Sequence, residues 1–364
     1  MNMSSVGHND PIESHCPAGE TQSLDVSIET VLDRSLFAPV RTLFNKPGKR
    51  LRADLVQLGW ALSSSTLSEE PKETASSLSP TEPVEKASPT PGTSIQNAID
   101  KLAEALEAIH GGSLVIDDIQ DESSERRGAP CLYQKFGIPI SINVGNWLYF
   151  QPFEWIRQLS LPEATELRLY RLFHEAMINA HLGQAIDLGT KIDEIPREQV
   201  RGLTLTSLRL KTGALTALAI SSGAVLGNAN MARSSALHEY GHRFGIALQM
   251  FDDIGNFNLP AGHPKRLEDF RLRRPSWLWS VASHLSSQEQ YRAFLDAVAQ
   301  LPNEEPLANW ALANRFLETA RSEAERHLNE SIDLLTNSLG ESAESNHCLI
   351  KVRELCERIR TSYG

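Results

Sequence analysis

The chain has 364 residues, and 46 acidic against 35 basic side chains give it a net charge of −11. That balance excludes a protein that holds nucleic acid or an anionic membrane through bulk positive charge. The length is a soft guide to two domains of roughly 150 residues each, and a 41% hydrophobic content suffices for a sizeable core. Four scattered cysteines, Cys16, Cys131, Cys348 and Cys356, contain no CxxC pair. Neither a disulfide framework nor a zinc knuckle is encoded, which fits a reducing cytoplasm.

Residues 1–23 lack a basic stretch followed by an apolar run, so they read as a flexible tail and not a secretory signal. At 63–94, Ser, Thr and Pro fill 19 of 32 positions without an aromatic residue. Such a segment buries too little apolar surface to offset its ordering entropy, and disorder is expected. Composition leaves open whether it is a domain boundary or a loop. Ile99, Leu102, Leu106 and Ile109 then keep the spacing of one buried helix face. Pro162 with Glu163 and Glu166, and Pro196 with Glu198, mark two helix starts. The charge-free stretch 213–232 carries Thr216, Ser221, Ser222, Asn228 and Asn230 among small residues. It reads as a helix packed inside a helical protein and not as a membrane span. Charged and apolar residues alternate helically over 305–338 and 341–362. No hairpin, Rossmann or P-loop signature occurs. The expected class is all-α.

Two acidic clusters stand out. Asp117-Asp118-Ile119-Gln120-Asp121 follows the apolar run Leu114-Val115-Ile116. On a helix Asp117 and Asp121 share a face, where like charges repel by a few tenths of a kcal/mol. A hard cation such as Mg²⁺, bound through one or two carboxylates plus phosphate oxygens, would relieve the crowding. Asp252-Asp253-Ile254-Gly255-Asn256 again ends an apolar helical run. Two such clusters on separate helices, facing each other, would hold several Mg²⁺ ions around one diphosphate. Lys49 and Arg52, Arg126 and Arg127, and Lys211 are the cations that diphosphates would need.

The ordered set GKRLR, HGGSLVIDDIQDESSERRG, GQAID, KTG and QMFDDIGN resembles the trans-isoprenyl diphosphate synthases, the polyprenyl synthetase family, over about residues 48–274. The resemblance implies a single-domain all-α bundle around a deep central cavity, spanning 24–364 and interrupted by the 63–94 insertion. It also implies a homodimer that binds isopentenyl diphosphate and an allylic diphosphate, with no nucleic acid and no transmembrane segment. Asp117, Asp121 and Asp252 would hold Mg²⁺, three ions with substrate bound, supported by Asp118 and Asp253. Lys49, Arg52, His110 and Arg127 would cradle isopentenyl diphosphate. Arg126, Lys211, Lys265, Arg266 and Arg274 would hold the allylic diphosphate. Thr212 and Gln249 would line the developing carbocation, Asn256 would close the second motif, and Gln184 and Asp187 would stand behind the metals.

In this family the residues four and five before the first Asp set product length. Here they are Ser113 and Gly112, both small, with Ile109 one turn deeper. A C20 product is expected, as in the eukaryote-type geranylgeranyl diphosphate synthases, and Phe at Gly112 should shorten it. The chain departs from the family after the second motif. Lys265-Arg266 and then Arg273-Arg274-Pro275-Ser276 put Arg in place of the second Lys and Arg273 in place of a Gly. The insertion makes the Arg52–His110 stretch about thirty residues longer than the family needs, which favours a loop within one domain.

Three rivals remain on the same residues, besides a longer-chain synthase. A class I terpene cyclase would dispense with the isopentenyl diphosphate cradle, and a non-catalytic partner subunit would tolerate loss of an aspartate cluster. His238-Glu239-Tyr240-Gly241-His242 matches the HExxH of zinc proteases, but its helix runs on to Gln249 and Asp252.

Overall fold

The structure is a computed structural model that describes residues 27–45, 51–64, 94–126, 128–339 and 343–362. The 1–23 tail, residues 65–93 of the Ser/Thr/Pro-rich segment, Lys49 and Arg127 lie outside these residues. In chain order the elements are α1 (Ile28–Leu32), a π-helical turn (Asp33–Phe37), α2 (Ala38–Phe44), α3 (Leu51–Ser64) and α4 (Ile95–Gln120). A two-residue hairpin follows, β1 (Glu125–Arg126) antiparallel to β2 (Ala129–Pro130), turned by Gly128 at φ 73°. Next come α5 (Leu132–Phe136), α6 (Ile138–Gln158), α7 (Glu163–Gly189), a 3₁₀ turn (Ile192–Glu194) and α8 (Arg197–Leu208). A second π-helical turn (Arg209–Gly213) leads into α9 (Ala214–Leu226) and α10 (Met231–Phe257). The chain closes with α11 (Glu268–Leu272), α12 (Trp277–Leu285), α13 (Gln288–Val298), α14 (Glu305–Ala313), α15 (Phe316–Leu339) and α16 (Ala343–Ser362).

These elements form two compact units. The first contains the described residues of 1–50 and 107–152, and the second those of 51–106 and 153–364. The division falls inside α4 and α6. Helix starts follow the sequence signals, with Pro162 and Pro196 at the N-caps of α7 and α8. The long 305–338 run breaks in two at Arg315, whose φ of 49° ends the helical path. Phe294, Trp310 and Phe316 fill the corner so formed, with ring centroids 5.0 Å apart for Trp310 against both phenylalanines.

In the second unit every residue of α9 is buried, which answers the 213–232 stretch: its small residues serve helix packing. Among the described residues no helix is long and apolar enough to cross a membrane. A Cβ on Gly59 of α3 would lie 1.9 Å from the Ile220 carbonyl oxygen, and one on Gly223 of α9 would lie 2.0 Å from that of Val56. On the other side a Cβ on Gly241 of α10 would lie 2.5 Å from Ala217 Cα. Three helices therefore touch backbone to backbone at α9, an approach open only to glycine at those points. Gly202, in the middle of α8, has nothing within 4 Å of its would-be Cβ. Gly223→Ala should therefore destabilise by about 1–3 kcal/mol through overpacking, and Gly202→Ala should stabilise by about 0.5–1 kcal/mol through helix propensity. Urea denaturation of the two variants, with opposite signs expected, checks the assignment.

Candidate active site

In the first unit α4 ends in carboxylates. Asp117 and Asp118 occupy its last turn, and Asp121 follows with its N–H donating to the Asp117 carbonyl at 2.9 Å. The helix dipole is negative at this end and the last turn holds no basic residue, so the arrangement is unfavourable without a cation. Arg126 supplies one from the hairpin. Its Nε donates to Asp118 Oδ1 at 2.6 Å and its Nη2 to Asp117 Oδ2 at 3.5 Å. Burial works against the Arg126 charge, but its hydrogen bond to Asp118 and the charges of Asp118 and Asp117 hold its pKa above the ordinary value. Tyr149 of α6 is pushed up to about 12, chiefly by burial and further by Asp117, and stays a neutral donor.

His110 lies half-buried on α4, its carbonyl accepting from Ser113 Oγ at 2.8 Å. The expected effect of Phe at Gly112 changes here. Gly112 is packed against α6: its Cβ would lie 2.8 Å from the Gly145 carbonyl oxygen and 3.1 Å from Leu148 Cβ. It is a helix-packing glycine, so Phe at this position meets backbone. Ser113 keeps some exposure and Ile109 is buried.

In the second unit Asp187 of α7 is the hub. Lys211 Nζ, from the π-helical turn, donates to Asp187 Oδ2 at 3.0 Å, and Arg274 Nη1 donates to the same oxygen at 2.8 Å. A relay runs from the turn into α10. Thr212 Oγ1 donates to Gln249 Oε1 at 2.8 Å, and Gln249 Nε2 donates to Asp253 Oδ1 at 2.9 Å. The Trp277 backbone N–H, at the start of α12, donates to Asp253 Oδ2 at 2.6 Å. Asn256 Nδ2 and Gln249 Nε2 both reach Asp252 Oδ2, at 3.4 and 3.5 Å. Asp253 is buried, and burial with the nearby Asp269 charge raises its pKa well above the carboxylate range. Gln184 lies half-buried on α7, and Arg52 in the first turn of α3.

The loop after the second motif uses its cations differently from one another. Arg274 joins Asp187, as described. Arg266 donates to Glu304 and to the carbonyls of Phe257 and Leu259, so its guanidinium ties down the end of α10. Lys265 is half-buried, its backbone N–H bonded to His263 Nδ1. Arg273, in place of the family's Gly, sits at φ 56°, a left-handed conformation that costs a non-glycine residue roughly 1 kcal/mol. Its carbonyl accepts from Ile192 N–H at 2.9 Å and its Nη1 reaches Asp193 at 3.2 Å, which offset that cost.

Sequence reasoning passed over Asp269. Burial of its carboxyl, with Asp187 and Glu268 nearby, pushes its pKa up to about 7. The only available signal was its place among the basic residues after the second motif. Among the described residues no three His, Cys, Asp or Glu side chains are already gathered around one metal position. The HExxH match does not make a protease centre either. Glu239 is held by Arg209 at 2.7 Å and by Arg243 at 2.9 Å, so its carboxylate is engaged in ion pairs.

The sequence model of the family described as Polyprenyl synthetase matches residues 33–314. The chain belongs to the polyprenyl synthetase family. A geranylgeranyl diphosphate synthase of Sulfolobus acidocaldarius is 28% identical over 239 residues, 64% of this chain and 71% of that protein. A short chain isoprenyl diphosphate synthase of Methanocaldococcus jannaschii is 32% identical over 152 residues, 42% of this chain and 45% of that protein. The crystal structure of a decaprenyl diphosphate synthase from Rhodobacter capsulatus superposes with a TM-score of 0.69 at 22% identity, covering 92% of each chain. The last likeness establishes the polyprenyl synthase fold, all-α as expected.

The raised carboxyls make a pH prediction. An unfolded Asp titrates near 3.9, whereas folded Asp269 titrates near 7. Between those values the folded chain binds more protons, so stability falls as pH rises through about 4 to 7. With EDTA present, Asp269→Asn should gain stability relative to the parent as pH increases across that window. A pH-independent difference in urea midpoint would show that Asp269 ionises normally in the fold.

Proposed function

We propose that the chain is a magnesium-dependent trans-prenyltransferase that joins isopentenyl diphosphate to an allylic diphosphate and releases geranylgeranyl diphosphate. The observation that carries this reading is the pair of helices, α4 and α10, that run out into aspartates, each with cationic or amide donors bonded to them. The donor set fits Mg²⁺: it is carboxylate oxygen only, and one or two carboxylates per ion leave room for diphosphate oxygens and water. The raised pKa of Asp253 adds to the fit, since the chain binds protons where a cation would relieve the same repulsion. Asp117, Asp121 and Asp252 would hold the ions, with Asp118 and Asp253 fixing their orientation. Bound Mg²⁺ would supply charge neutralisation for the departing diphosphate.

The chain's own groups do the rest. Arg126 and Lys211, held near carboxylates by hydrogen bonds, would turn donors to phosphate oxygens when substrate binds. Arg274 presents a rigid fork where the family has a lysine. The allylic C1–O bond breaks and its electron pair leaves with diphosphate. The π-electrons of isopentenyl diphosphate then form the new C–C bond at C1. Loss of one proton to the released diphosphate completes the balance. Thr212 and Gln249 fix each other's dipoles, and such preorganised dipoles stabilise developing positive charge without reorganising. Arg52 and His110, with Lys49 and Arg127, would take the second diphosphate.

A homodimer in the cytoplasm completes the proposal. Ile138, Ile142 and Phe150 of α6 are exposed apolar side chains, which a partner subunit would cover. Product length follows from the relatives' names and from the small side chain at Ser113.

Labelled isopentenyl diphosphate incubated with Mg²⁺ and each allylic primer tests the reading. A labelled C20 diphosphate is expected, abolished by EDTA. An unlabelled cyclic product would indicate a cyclase, and turnover only with an added protein would indicate a non-catalytic subunit. Asp117→Asn and Asp252→Asn should each lower kcat by about 10²–10³-fold, the scale of losing one transition-state charge stabiliser. Ser113→Phe should shorten the product, whereas Gly112→Phe should fail to fold because Gly145 blocks it; soluble yield and chain-length analysis separate the two.

A further inference from the structure

The HExxH histidines take no part in the proposed reaction, yet their geometry is specific. His238 and His242 stand four apart on α10, so both rings share one face. Their Nε2 atoms are 3.2 Å apart, and the rings meet edge to face with centroids 4.7 Å apart. Two imidazole nitrogens on one tetrahedral Zn²⁺, each about 2.0–2.1 Å from the metal, would stand about 3.3–3.4 Å apart. The structure therefore comes close to the donor spacing of such a site.

The remaining ring nitrogens suit the same role. His238 Nδ1 is 3.1 Å from Ser221 Oγ, a neighbour able to accept its proton and leave Nε2 as a lone pair. His242 is 6% exposed, and its Nδ1 has no hydrogen-bond partner of good geometry. A hydrogen bond between the two rings uses only one Nε2 lone pair, whereas a shared cation uses both. Both rings line a small pocket together with Glu175 and Asn179 of α7 and Leu218 of α9. Glu175 is exposed, so it is able to rotate, and its charge acts on His238.

We propose that His238 and His242, with Glu175 swung in from α7 and water as the fourth ligand, form a binding site for a zinc-class transition-metal ion. The site is separate from the aspartate clusters in chemistry, being nitrogen-rich where they are oxygen-only. Glu239 is bound to Arg209 and Arg243 and supplies no general base, so the ion clamps α7 to α10 and hydrolyses nothing. Those helices carry Asp187 and Asp252, which makes the clamp a support for the second cluster. The proposal stands apart from the prenyltransferase reading, and neither needs the other.

The test uses the full chain, stripped of metal and then held in excess Mg²⁺ to keep the carboxylate clusters occupied. Titration with Co²⁺ should give the intense visible absorption of a four-coordinate nitrogen-ligated ion at one equivalent, displaced by Zn²⁺. His238→Gln should lose that absorption and weaken Zn²⁺ binding about tenfold or more, the scale on which metal sites respond to loss of a supporting group. Glu175→Gln, an exposed change that leaves the fold intact, should weaken it while keeping both histidines. No absorption in the parent chain, or equal affinity in all three proteins, would overturn the site and leave a hydrogen-bonded pair of neutral rings.

Discussion

Carboxylates held at the wrong end of a helix dipole are the constraint on which both site regions depend. α4 closes on Asp117 and Asp118, and α10 carries Asp252 and Asp253 near its end, and neither helix has a basic residue in its last turn. Negative charge there is electrostatically unfavourable, and burial of Asp118 and Asp253 removes the water that would screen it. Each region answers with donors from outside the helix. Arg126 reaches back from the hairpin, and the Trp277 N–H and the Gln249 amide pin Asp253. The balance is incomplete by design of the residues themselves, because Asp253 and Asp269 still favour protonation. Each region is left hungry for a cation, the condition that the proposed diphosphate chemistry needs.

Holding those donors in place is a packing problem. α10 is able to present Gln249 and Asp252 beside Lys211 because Gly241 and Gly245 let its backbone lie against α9 and the π-helical turn. Thr216 secures the junction, its hydroxyl lying 2.8 Å from the Gly241 carbonyl and 3.0 Å from that of Gly213. Asp187 couples packing to charge, since one carboxylate oxygen takes Lys211 from the turn and Arg274 from the segment before α12. Removing it would take from two cations the carboxylate oxygen that they share.

Much of this was legible beforehand, for reasons that differ by residue. Periodicity announced the buried face of Ile99, Leu102, Leu106 and Ile109, because burial and helical repeat are the same fact seen twice. The aspartate clusters were visible because like charges ending apolar runs have no folding rationale. Three features were hidden. The packing role of Gly112 depends on which helix crosses it, and that is information held at Gly145. The use of Arg266 at the end of α10 depends on Glu304, 38 residues away. Asp269 differs from any surface aspartate only by its three-dimensional neighbours. Local sequence carries element type and charge density, while the assignment of a side chain to packing, strut or ligand is settled by contacts distant along the chain.

The π-helical turn at Arg209–Gly213 has a consequence for how the chain tolerates change in length. Such a turn holds one residue more than an α-turn, and π-bulges concentrate at functional positions. Because the extra residue is taken up within that one wider turn, deleting a residue there would let the segment close to an ordinary α-helix with the face of α9 nearly kept. The same deletion just inside α9 would rotate the residues after it by about 100°. Gly223 would then swing away from α3. Residue number is therefore held more tightly within α9 than across the turn that precedes it.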